Sequence, residues 1–98
     1  MAKRRFHPRF SVDLRDAVVH FDGISQSLGM RFRDAVREKL SLITDHPEIY
    51  ACLSGPIRAS RLPRFPYVVL YMIDQDHVYF IALVLGSSDR SRWFERVR

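Results

Sequence analysis

The chain has 98 residues, room for one hydrophobic core but too few for two, so residues 1–98 are expected to form a single domain. Hydrophobic residues make up 47% and charged residues 28%, which is too apolar for a disordered chain and ordinary for a globular one. Sixteen Lys and Arg against eleven Asp and Glu give a formal charge of +5 and a pI near 10.0, which favours nucleic acid, a ribosome or an acidic protein without choosing among them.

The N-terminus, MAKRRFHPRF, is basic but is not followed by an apolar segment of signal type. Lys3 to Phe6 can add a strand that ends at Pro8, because proline cannot sit inside a hydrogen-bonded ladder. From Ser11 the pattern becomes helical: Leu14, Ala17, Val18 and Phe21 form an apolar stripe, with Ser11 as the expected N-cap and Gly23 as the residue after the C-terminus. A second helix starts near Ser25 or Ser27, with Leu28, Phe32, Ala35, Val36, Leu40 and Ile43 on one side and Arg33, Asp34, Arg37 and Glu38 on the other. Pro47 stops it, since the residue before a proline disfavours helical geometry. The short connection between the helices predicts an antiparallel hairpin.

Beyond Tyr50, Gly55 and Pro56 the period becomes two. Ile57 to Leu62 is expected as an outer strand. YVVLYMI and VYFIALVL, parted by Asp74-Gln75-Asp76, read as a β-hairpin rich in β-branched and aromatic residues. Strict alternation puts Val78, Phe80, Ala82 and Val84 on one face and Tyr79, Ile81, Leu83 and Leu85 on the other, as in a central strand covered on both sides. Asp89 to Val97 predicts a short helix capped by Ser88 or Asp89, with Trp93, Phe94 and Val97 as its apolar side. The expected class is α+β: a helical hairpin packed on a small, mainly antiparallel sheet, with a short C-terminal helix.

No phosphate-cradling glycine motif and no Cys/His spacing suited to zinc occurs, so neither a cofactor nor a metal is expected. His7, His20, His46 and His77 are scattered, and Ser87 and Ser88 after Gly86 do not form a nucleophile elbow. Cys52 is alone, which excludes an intramolecular disulfide and fits a reducing cytoplasm. The longest apolar run, Val78 to Leu85, is far short of the about 20 residues that cross a bilayer, so no membrane contact is expected.

Arginine supplies the remaining chemistry. Arg58, Arg61, Arg64, Arg90 and Arg92 offer planar, permanently charged forks for phosphate or carboxylate, and a basic groove results if the sheet brings Arg61 near Arg90. Trp93 and Phe94 are candidates either for base stacking or for anchoring the last helix. Cleaving RNA needs, besides cations, a group that takes the 2′-hydroxyl proton and one that protonates the leaving oxygen, and no pair for those roles stands out.

Three stretches together resemble the RelE/ParE superfamily of toxins from bacterial type II toxin–antitoxin systems: the hairpin VDLRDAVVHF … FRDAVREKLSLITDHPEIY, the segment IRASRLPRFPYVVLYMID, and VYFIALVLGSSDRSRWFER with its terminal Trp-x-x-Arg. The resemblance covers nearly the whole chain and implies a toxin neutralised by a small cognate antitoxin. One branch cuts mRNA on the ribosome, and the other inhibits DNA gyrase. Of the RNase branch's basic residues Arg61 is present, whereas Val68, Ser88 and Phe94 stand where that branch carries Arg, Arg and Tyr. FPY at Phe65 to Tyr67 and the ending RWFER are more similar to the ParE branch, although Leu85, Ser88 and Asp89 replace its usual His and paired Arg.

The resemblance thus implies a toxin that binds and inhibits gyrase, and the arginine chemistry makes Arg58, Arg61, Arg90 and Arg92 the expected target or phosphate contacts. Two alternatives stay open. One is a metal-independent, ribosome-dependent mRNA interferase that uses Arg61 and Arg90; the other is a non-toxic basic module that binds nucleic acid.

Overall fold

A computed structural model describes residues 3–97. Strand β1 (Lys3–Phe6) leads into helices α1 (Phe10–Asp22) and α2 (Gln26–Asp45). Strands β2 (Cys52–Ser54), β3 (Ile57–Arg61), β4 (Tyr67–Asp74) and β5 (His77–Leu85) follow, and α3 (Ser91–Phe94) runs into a 3-10 turn (Glu95–Val97). The five strands pair in the order β1-β5-β4-β3-β2, antiparallel except for β1 against β5. The expected α+β architecture is present, and no described helix is long and apolar enough to cross a membrane.

α1 starts one residue before the expected cap. Ser11 lies inside the helix, because a tight turn at Pro8 sets the first turn instead: the Arg9 amide donates to His7 Nδ1 at 3.1 Å and the Phe10 amide to the His7 carbonyl at 2.9 Å. Gly23 does end α1, but with φ −64° it remains right-handed. At α2, Ser25 is the cap, its hydroxyl accepting from the Leu28 amide at 3.0 Å.

The predicted stripes meet in the core. Phe21 and Phe32 bring the helices together with ring centroids 4.8 Å apart, and Phe65 and Tyr67 pack edge-on against both rings. The aromatic residues of FPY therefore fasten the β3–β4 connection to the helical hairpin. One side of the sheet, with Val69, Tyr71, Val78, Phe80 and Leu83, covers this core; Ile57, Val68, Leu70, Ile81, Ala82 and Val84 form a second cluster on the other side.

That division corrects the expected alternation along β5. The β4–β5 register shifts between Leu70 and Tyr71, so Leu70 pairs with Ala82 but Tyr71 with Phe80, and Ile81 is the extra residue of a bulge. Ile81 and Ala82 consequently share a face. Leu83 joins Val78 and Phe80 beneath the helices, whereas Ala82 and Val84 lie opposite. A second difference is β2, which pairs outside β3 across a turn at Gly55 (φ +53°) and so displaces β3 from the sheet edge.

Trp93, Phe94 and Val97 pack on the second cluster, as their spacing predicts. The residue before α3 is Arg90, and the Asp89 carboxylate accepts from both the amide (3.1 Å) and the hydroxyl (2.7 Å) of Ser91. The Ser88 hydroxyl instead turns back and donates to the Leu85 carbonyl at 2.6 Å.

Candidate functional site

Cross-strand register sorts the arginines. On β3, Arg58 pairs with Tyr71 and Arg61 with Val68, and those partners belong to opposite faces of the sheet. Arg61 therefore stands on the face that α3 covers, beside the exit of β5. There the Gly86 amide donates to the Pro66 carbonyl at 2.8 Å, and Arg90 Nη2 donates to the Gly86 carbonyl at 3.3 Å. A Cβ added at Gly86 would lie 4.0 Å from Arg61 Nη2. Two guanidinium groups thus converge on one stretch of bare backbone. Next to them Arg92 lies over the Trp93 ring, 5.2 Å from its centroid. Arg61 and Arg92 are exposed and Arg90 is half-buried. Among the described residues none of the salt bridges uses Arg61, Arg64, Arg90 or Arg92.

Arg58 has a different setting. Its Nη1 donates to the carbonyls of Tyr50 (2.7 Å) and Glu48 (3.3 Å), and the Tyr71 hydroxyl donates to the Pro47 carbonyl at 2.8 Å, so both side chains pin the segment after α2. Burial pushes the Tyr71 hydroxyl up to about 12, against the opposing charge of Arg58. For Tyr50 burial again raises the pKa, but the hydrogen bond from Lys39 Nζ (3.1 Å), the neighbouring Ser60 hydroxyl and the Lys39 charge together outweigh it, and the net shift is downward.

His77 stands away from the Arg61–Arg90 pair. It bonds Asp76 at 2.8 Å at the far end of β5, about 25 Å from Leu85 at the usual strand rise. His20 and His46 are exposed at the ends of α1 and α2. His7 is held below its ordinary pKa by burial first and by the Arg96 charge second. No group of three or more His, Cys, Asp or Glu suited to a metal occurs among the described residues.

Residues 4–90 match the family described as the ParE toxin of the type II toxin–antitoxin system parDE. The chain belongs to the ParE toxin family. Its fold is similar to that of a solved chain from the chromosomal ParDE toxin–antitoxin system of P. aeruginosa, with a TM-score of 0.76, 12% identity, and coverage of 87% of this chain and 96% of that one. No curated protein matches the sequence. The family match includes Arg61, Gly86 and Arg90 and stops short of Arg92, Trp93 and Arg96.

One constellation of this ParE-family chain escaped the sequence. Arg96 clamps Asp13 with both nitrogens (2.7 and 3.1 Å) and donates to the Ile81 carbonyl at 3.0 Å, while the Leu83 amide donates to Asp13 at 3.2 Å. β1 pairs with β5 only as far as Phe80, so the bulged stretch beyond it has no strand neighbour on that edge. Asp13 and Arg96 take that place, satisfying the orphaned backbone groups and neutralising each other, with side chains only 13% exposed each. The available signal was a carboxylate falling in the apolar stripe of α1, between Phe10 and Ala17.

Proposed function

We propose that the chain is the toxin of a type II pair, that a cognate antitoxin holds it in check, and that it acts in the cytoplasm by binding and inhibiting DNA gyrase. The contact is assigned to the face that carries Arg61, Arg90 and Arg92. The observation that carries this reading is the convergence of Arg61 and Arg90 on Gly86, without a carboxylate partner among the described residues, in a member of the ParE family. Guanidinium groups left unpaired on a surface favour an anionic or strongly polar target. His77, a ready proton carrier for RNA cleavage, lies at the opposite end of β5 from Gly86, in keeping with inhibition by binding.

Adding the purified chain to gyrase and relaxed plasmid tests the reading. Supercoiling should stop, resume when the product of the neighbouring antitoxin gene is added, and proceed normally with the R61A/R90A variant. Cuts at defined positions in ribosome-bound transcripts, with supercoiling untouched, would instead establish the mRNA-interferase alternative.

A further inference from the structure

Resting on that reading, we propose that the Arg61–Arg90 face contacts the DNA on which the topoisomerase acts, gripping the phosphodiester backbone of a duplex as well as meeting protein. The first ground is the unpaired convergence at Gly86. Two guanidinium groups held beside the same backbone repel one another, and an oxyanion between them removes the repulsion while using both forks. Arg90 is partly preorganised for this by its bond to the Gly86 carbonyl, and exposed Arg61 is free to close from the other side.

The second ground is extent. Arg5 is paired across the ladder with Tyr79 and lies 5.7 Å from the centroid of its ring, on the same face as Arg61. From Tyr79 to Gly86 the strand runs about 23 Å. Arg5 at one end and the Arg61–Arg90 pair at the other thus lie on one face of the sheet, spanning a length that faces about seven phosphates of one DNA strand. Asp74 shares a surface hollow with Arg5, Asp89 is bonded to Ser91 and feels the Arg92 charge, and Glu95 lies on the turn beyond, so acids interrupt the line without closing its Gly86 end. A line of arginines this long fits a continuous polyanion better than the one or two carboxylates of a protein contact.

Anisotropy of a labelled 20-base-pair duplex, titrated with salt, tests the assignment. The wild-type chain should bind with log Kobs falling linearly against log salt. The slope should flatten by about 1 in R61A and by about 2 in R61A/R90A. R37A, which removes an exposed charge on α2, should match wild type. A slope in R61A/R90A equal to that of R37A would overturn the proposal. So would displacement of the duplex by polyglutamate at equal charge concentration, which would mark the face as a site for acidic protein. Running gyrase assays on the same proteins separates the two claims. Inhibition by a wild-type chain that binds no duplex would sink the DNA contact alone; duplex binding through Arg61 and Arg90 by a chain that leaves gyrase untouched would sink the gyrase reading alone.

Discussion

The C-terminal segment carries arginines in two contrasting environments. Arg96, its side chain 13% exposed, makes a fork-to-fork pair with Asp13 and closes the unpaired edge of β5. Arg90, in the same segment, donates to the Gly86 backbone carbonyl and makes no salt bridge among the described residues, and Arg61 approaches the same glycine. Breaking a buried ion pair from one side costs far more than removing an exposed charge. The first environment therefore belongs to the fold and the second is available for a target. Arg58 lies between them, bound to two carbonyls but to no carboxylate.

Substitutions should rank in that order. Asp13→Ala strands the Arg96 charge and the Leu83 amide together and should cost about 3 kcal/mol, seen as a large drop in the thermal midpoint. D13A/R96M should cost much less than the sum of the single changes, because the pair acts as a unit. A D13A protein that melts with wild type would erase the distinction between the two environments. Arg58→Ala should cost about 2 kcal/mol in urea unfolding, as two charge-assisted bonds to the Pro47–Tyr50 segment disappear.

The same region predicts an alkaline transition. Tyr71 titrates near 10.0 when unfolded and near 12 when folded, so its contribution is complete below pH 10 and is lost as the pH rises towards 12. Tyr71→Phe should flatten stability across that window in chemical denaturation at stepped pH. An unchanged decline would assign it to other groups. At the bottom of the ranking, Arg61→Ala should move stability by no more than about 0.5 kcal/mol.

Much of this fold was legible because its signals are local. The apolar stripes of both helices, the Ser25 cap, the stop at Pro47 and the hairpin around Gln75 each depend on neighbours a few residues away. What escaped depends on distant partners. The bulge at Ile81 reverses the faces of the residues after it, and it is tolerable because Asp13 and Arg96, 83 residues apart, satisfy its backbone. Ser11 was a misleading cap because His7 and Pro8 had already set the turn. β2 was hidden in a loop of three residues with little periodicity. At the candidate site, composition pointed to Arg61, Arg90 and Arg92, but the register with Val68 and Tyr71 was needed to part Arg61 from Arg58.

The Arg61–Arg90 face is proposed to carry toxicity while leaving the fold alone. The most direct test is growth after induction of the chain without antitoxin, comparing wild type with R61A/R90A at equal soluble level and equal melting temperature. Wild type should arrest growth, with plasmid supercoiling lost and transcripts intact, while R61A/R90A should grow normally. Arrest of equal strength by a fully folded R61A/R90A protein would contradict it.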